Sequence, residues 1–568
     1  MKFSARNILF LLKPILCVLA PYALSLLAAT TSSAIDYHVD ATLGRDYNPG
    51  TEQAPWQSMA KVNGSRFQPG DKILFKRGES WHESLIIPAS GVHGKHLLFG
   101  AYGEGSPPLI DCTTALNENR QQVEDEIYSF PWPRKPGVLF YRNLPKPSVM
   151  SLTFAPENNP PKGAILLQLQ TNTPYTNLWV IGSDPQTGLV TGLSVFEEKW
   201  DTKRKVTIRR PDPRTGLEEQ LPPMAPPLAV SHVLQSLLEP GHWYWAEGKI
   251  YLRDKKDPSA AQIRVSDLDY GINTKGHDYL TIENLAIRGA GTVGLFLLNS
   301  NHCRISGNHI LGTGLLTHST GILFMNASDN LVSGNRVEHS LGTGISVYAY
   351  DGLSHRNTVA ANTVLDSGAS GIMIGGEVGF RVQYTEVADN TVERANQIAY
   401  DSAGIYTYFC GSGNIIERNV IRGGGSKELK SSGIMIDIDS GPMIVRYNTI
   451  ENNSHGGIVI TEKGHFIHHN HLLNNAPPHW KSAEIVFFPV NDDVSDCEVT
   501  DNHLRTGPDM FLYRIAKGSN RGHFIDRNTY IGGPKNPFFL EERNLDFQQW
   551  QQSTGADAHS IHRRDKHP

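Results

Sequence analysis

The stretch DSAGIYTYFCGSGNIIERNVIRGGGSKELKSSGIMIDIDSGPMIVRYNTIENNSHGGIVI (residues 401–460) decides the fold. A Gly opening a short alternating apolar strand recurs in it at Gly404, Gly433 and Gly457 (GIYT, GIMI, GIVI). Between these phrases stands an Asn followed two residues later by an aliphatic side chain, at Asn419 and Asn448. Period-two alternation over four or five residues marks half-buried strands.

Both columns continue outward from this stretch. The asparagines run on through Asn284, Asn308, Asn335, Asn362 and Asn390 before it, and Asn470, Asn502 and Asn528 after it. The glycines begin at Gly294, Gly321, Gly344 and Gly371. A repeat of 22 to 32 residues with two or three strands in it predicts one turn of a right-handed parallel β-helix. The expectation is an all-β solenoid of about nine rungs over 266–535. Asn is expected at the tight bends, because it tolerates the left-handed conformation and its amide can bond from rung to rung.

The flanks divide the rest. Lys2, Arg6 and Lys13 precede an apolar run from Ile15 to Ala29, and Ser32 and Ala34 stand where a leader would be cut, so residues 1–34 read as a cleaved signal peptide. Residues 35–112 read as an N-terminal cap with the first β-helix turns. Residues 113–265 break the repeat with Pro-rich stretches such as PPMAPP (222–227) and read as an inserted β-rich module. The tail, 536–568, includes LDFQQWQQSTGADAHS, a short helix sealing the last rung.

Export to a periplasm or out of the cell follows, with no membrane association once the leader is gone and a monomeric state as for other capped β-helices. With a net charge of -5 nothing points to a nucleic-acid partner, and none is expected. Past the leader, Cys112, Cys303, Cys410 and Cys497 lie far apart with no CxxC pair. They therefore read as small buried hydrophobes and not as a zinc site, with a single disulfide left open.

The chemistry is expected on the outward face of the Gly-led strands. Ile434 and Ile436 point inward by alternation, as do Ile405 and Thr407, so Tyr406 and Tyr408 point outward. Four residues past each Gly, the outward column reads Leu298, Met325, Tyr348, Gly375, Tyr408, Asp437, Thr461 and Phe488. Six past, it reads Ser300, Ala327, Tyr350, Glu377, Cys410, Asp439, Lys463 and Val490. Acids inside the otherwise apolar MIDIDSG, with tyrosines beside them, suit sugar binding and glycosidic chemistry, which needs a protonated carboxyl for the leaving oxygen and an ionised one as nucleophile or base. Asp437, Asp439, Glu377 and Asp401 are the candidate acids. Tyr406, Tyr408, Tyr348, His318, His455 and Lys463 are candidate substrate contacts, and no resident metal or cofactor is expected.

With its neighbour SSGIMIDIDSGPMIVRYNTIENNSHGGIVITEKGHFIHHNHL, the segment DSAGIYTYFCGSGNIIERNVI resembles secreted right-handed β-helix carbohydrate-active enzymes of the pectate-lyase-like superfamily, most of all glycoside hydrolase family 141. YHVDATLGRDYNPGTEQAPWQSMAKVN near the start and WQQSTGADAHS near the end are similar to the termini of such enzymes. The resemblance implies a hydrolase whose catalytic acids are Asp401 and Asp437. Met435 stands where that family tends to have Tyr.

The first hypothesis is therefore a secreted glycoside hydrolase acting on a polysaccharide or oligosaccharide. The alternative is a calcium-dependent polysaccharide lyase or uronate epimerase, with Lys430 or Lys463 as base, Arg422 nearby, and Asp437, Asp439 and Glu377 around Ca²⁺. A non-catalytic polysaccharide-binding β-helix is the third.

Overall fold

The structure, a computed structural model, describes residues 33–116, 120–146, 240–246, 248–255, 263–314, 319–399, 401–426, 429–475, 477, 482–490 and 494–564, and the backbone of strands at 165–167 and 178–180. The signal peptide expected over 1–34 lies almost wholly outside the described residues, as does His318. Among the described residues no helix is long and apolar enough to cross a membrane.

Each turn of the chain lays down one strand in each of three parallel sheets. In one turn these are Glu386–Ala388, Thr391–Glu393 and Asp401–Tyr408, and the next turn begins at Ile415–Glu417. Among the described residues, stacking such turns gives three sheets of 13 strands each. Register is fixed by burial: Val387, Val392 and Ile405 point into the stack and are at most 1% exposed, so a one-residue slip would turn every such side chain outward.

The stack comprises the rungs expected between 266 and 535 together with the first turns expected over 35–112. The strands of residues 36–111 lack the Asn column yet join the same sheets, with Leu97 paired to Leu280 and Ile110 to Ile287. The chain leaves the stack after Leu109–Asp111 and rejoins it at Tyr270–Asn273, which pairs directly with Leu85–Ile86. Between these points the described strands are antiparallel. Thr113–Ala115 pairs with Arg264–Ser266, and Ile127–Pro131 with Lys249–Arg253. These strands carry their own core of Leu116, Phe130, Leu139, Tyr141, Trp243, Trp245, Ile250, Leu252, Ile263 and Val265.

At the far end the expected helix is present as Phe547–Thr554. Asp546 caps it by accepting from Gln549 N–H at 2.9 Å, and Gly555 closes it in the left-handed conformation. Trp550 is wholly buried and stacks on Phe538 with ring centroids 5.1 Å apart, so the helix shields the last apolar layer.

The repeat's two columns have distinct physical roles. At the bends from Asn308 onward the residue before the Asn is the left-handed one, as at Gly334 (φ 65°), Asp389 (57°), Arg418 (53°) and Tyr447 (57°). The Asn itself is not needed for the bend, contrary to the expectation from its conformational tolerance; Asn284 alone of the column has positive φ. Its amide forms the ladder. Asn335 N–H and Nδ2 both donate to Asn362 Oδ1 (2.9 and 3.0 Å), and Asn335 Nδ2 also donates to Ile305 O (2.9 Å). The glycines are required by crowding: a Cβ on Gly433 would lie 2.1 Å from Ile450 Cγ2 and 2.8 Å from Gly457 O. The four described cysteines are free and buried, and burial raises the thiol pKa of each.

One rung replaces the Gly with a carboxylic acid. Glu484 stands next to Gly457 and is wholly buried. Its two oxygens accept from Asn475 N–H (3.0 Å) and Nδ2 (2.7 Å), ending a short second ladder that starts at Asn453. Burial pushes its carboxyl up to about 7, so the folded protein holds a proton that the unfolded chain releases near its ordinary carboxylate range. Its contribution to stability is therefore fully present below about pH 4.5 and is lost as pH rises to 7, about 3 kcal/mol in all. Glu484→Gln has no proton to lose. Thermal melts of both proteins across pH 4 to 8 should show the parent losing ground to the variant as pH rises and a constant gap above 7; a pH-independent gap would place the acid's titration elsewhere.

Candidate active site

The third sheet's long strands carry the candidate site on their outer face. The four-past column forms as expected: Leu298, Met325, Tyr348, Gly375 and Tyr408 are consecutive partners, and Asp437 continues the line beyond Tyr408. Gly375 leaves room in the middle of it. A Cβ there would lie 2.6 Å from the Tyr408 ring, so its absence lets Tyr408 lie toward Tyr348, with ring centroids 6.3 Å apart. Tyr406 completes the aromatic group, 5.4 Å from Tyr408.

Two carboxylates border this aromatic floor, each held by a tyrosine. Asp437 is 7% exposed; its Oδ2 accepts from Tyr406 Oη at 2.6 Å and its Oδ1 from Thr461 Oγ1 at 3.3 Å. The Tyr406 contact runs diagonally between strands, because Met435 is the residue directly opposite Tyr406. Glu377, half-buried, accepts from Tyr348 Oη. Burial first, then Tyr408 and the bond to Glu377, push the Tyr348 hydroxyl far above its ordinary value, so it remains a donor. Glu377 and Asp437 follow strands separated by one intervening strand, a spacing of about 9.5 Å.

The six-past positions do not form an outward column. Ala327 and Cys410 lie in the core, because the chain turns toward the first sheet there and the alternation is broken. Asp439 is half exposed and left-handed (φ 60°). Its cation is Arg381, at 3.0 Å, where Lys463 was expected, and Lys463 is exposed. Asp437, Asp439 and Glu377 do not gather as a calcium site; among the described residues no three His, Cys, Asp or Glu side chains do.

Asp401 begins its strand opposite Lys430. Asp437 lies seven positions farther along Lys430's strand, on the order of 20 Å for a straight chain. The register thus does not bring the backbones of Asp401 and Asp437 together.

His455 occupies the same end of the sheet as Lys430, with its N–H donating to Ser431 O at 3.0 Å. Burial, then the charges of Lys430 and Arg514, push its ring down to about 3, so it is neutral at neutral pH. Sequence reading missed Arg381 and Arg514. Arg381 lies in a loop outside the repeat, and Arg514 extends the Tyr406–Met435–Val459–Val486 line two rungs past the last Gly.

No curated protein matches the chain. Among solved structures it is similar to the complex of XylC with xylose (10% identity, covering 89% of this chain and 86% of that one, TM-score 0.47). It is also similar to the native GH136 lacto-N-biosidase from Eubacterium ramulus (14%, 89% and 68%, 0.46) and to a glycoside hydrolase (12%, 92% and 99%, 0.44). The family model for the right handed beta helix region matches residues 248–397 and 354–504.

Proposed function

We propose that the protein is an exported, monomeric glycoside hydrolase that cleaves a polysaccharide or oligosaccharide with Asp437 and Glu377 as its acid–base pair. One observation carries this reading: two carboxylates, each held by a tyrosine hydroxyl, border one aromatic floor, at the ends of strands two rungs apart. Sugar rings stack on aromatic faces, so Tyr408 is the platform between the acids. Acids on strands two rungs apart suit the wide arrangement, which leaves room for a water molecule and inverts the anomeric centre. Asp437, nearly buried and accepting two hydroxyls, takes the base role. Glu377, next to the exposed Val378, takes the acid role at the mouth, where the leaving sugar departs.

The test is a panel of neutral and acidic polysaccharides, with and without chelator, read for reducing ends and for the ultraviolet absorbance of unsaturated uronates. Reducing ends without absorbance, indifferent to chelator and born in the inverted anomer by NMR, are expected. Absorbance abolished by chelation would replace the hydrolase with the calcium-dependent lyase. Retained configuration would require a closer pair of acids.

A further inference from the structure

Arg381 links the two turns that bear the candidate acids. Glu377 opens a turn in which its N–H donates to Ala349 O and its carbonyl accepts from Phe380 N–H, both at 2.9 Å. Phe380 packs against the core, whereas Val378 at the tip is 75% exposed. Asp437 opens the corresponding turn two rungs on. From the end of the first turn the Arg381 guanidinium crosses the intervening rung, donating to Cys410 O at 3.4 Å on the way. It then donates to both the carbonyl and the carboxylate of Asp439, the latter at 3.0 Å. Asp439 is fixed from the other side as well, since its N–H donates to Glu462 Oε1 at 2.8 Å in the next rung. A continuous polar brace thus runs from the Glu377 turn to the rung after Asp437.

We infer that Arg381 is a positioning residue that sets the separation of Glu377 and Asp437, a role that rests on the reading of these two acids as the catalytic pair. An exposed ion pair by itself contributes little to stability. The geometry here is different, because one planar, forked guanidinium ties two backbone carbonyls and a carboxylate on separate rungs, and a lysine cannot reproduce the fork. Catalysis is sensitive to such fixing, since a displacement of about 1 Å in a reacting group can cost roughly a hundredfold in rate.

The experiment compares wild type with Arg381→Ala, Arg381→Lys, Glu377→Gln and Asp437→Asn as full chains. Activity is measured on whichever of xylan, galactan, homogalacturonan or alginate the wild type cleaves, and hydrogen–deuterium exchange is followed at residues 377–381 and 437–441. Arg381→Ala should lower kcat ten- to a hundredfold with KM within twofold and Tm nearly unchanged, Arg381→Lys should recover part of the loss, and exchange should quicken in both turns while the adjoining strands stay protected. Wild-type kcat in Arg381→Ala overturns the inference, as does unaltered exchange at 437–441. If Glu377→Gln and Asp437→Asn are inactive while Arg381→Ala is fully active, only the positioning role falls. If those two variants keep full turnover, the hydrolase pair falls and the inference with it.

Discussion

Asp437→Asn should lower kcat by about 10²- to 10⁴-fold, the range a positioned acid or base contributes, while shifting Tm by less than about 2 °C. Asparagine matches the shape of the carboxylate and keeps a carbonyl oxygen for Tyr406 Oη, so the local packing survives. What it lacks is the basicity needed to take a proton from the attacking water. Tyr406→Phe is the companion measurement. It removes the 2.6 Å donor but leaves the acid and the ring in place, so it should cost roughly tenfold in kcat, the equivalent of one net hydrogen bond. Full turnover in Asp437→Asn would remove Asp437 from the mechanism. A Tm loss as large as that of a core mutant would instead assign the acid to the fold.

The solenoid and the outward face were legible because both follow from strand alternation. Inward Ile434 and Ile436 and the Tyr348–Gly375–Tyr408 line are consequences of period two, and strand pairing keeps them in step from rung to rung. Legibility ended where the strand ended. Past Asp437 the chain turns, so counting in twos misplaced Asp439 and paired it with Lys463, whereas its partner Arg381 comes from a loop two rungs earlier. The resemblance that names Asp401 and Asp437 as the acids matches residues along the chain; strand register, which sets Asp401 opposite Lys430, shows how far apart along the sheet they lie. The first turns, expected over 35–112, are less sharply marked than the later ones. Strands such as Lys72–Lys76 and Leu97–Tyr102 stack in the same sheet without an Asn at their bends, so they carry no marker that a repeat search can find.

Loss of a ladder amide should unfold this protein more readily than loss of any exposed ion pair. Asn419 is wholly buried and serves three rungs: its Oδ1 accepts from Asn390 N–H and Nδ2, both at 3.0 Å, and its Nδ2 donates to Val387 O at 2.9 Å and to Asn448 Oδ1 at 3.0 Å. Alanine would leave the Asn390 N–H buried without a partner and would remove the amide's bonds to the Val387 carbonyl and Asn448 Oδ1; the orphaned donor costs about 1 to 3 kcal/mol and each lost bond about 1 kcal/mol. The loss expected for Asn419→Ala is therefore about 3 to 5 kcal/mol in urea unfolding, a large share of the roughly 5 to 15 kcal/mol that holds a typical domain folded. Because each rung contacts only its neighbours, the lesion should appear first as faster hydrogen exchange in the strands Glu386–Ala388 and Val420–Arg422 and spread from there. Arg527→Ala removes an equally regular contact, the 2.9 Å pair with Asp501, from the exposed side of another bend, and should cost under about 1 kcal/mol. Equal losses in the two variants would mean that the stack is held by its apolar layers alone and that the asparagines only record the bends.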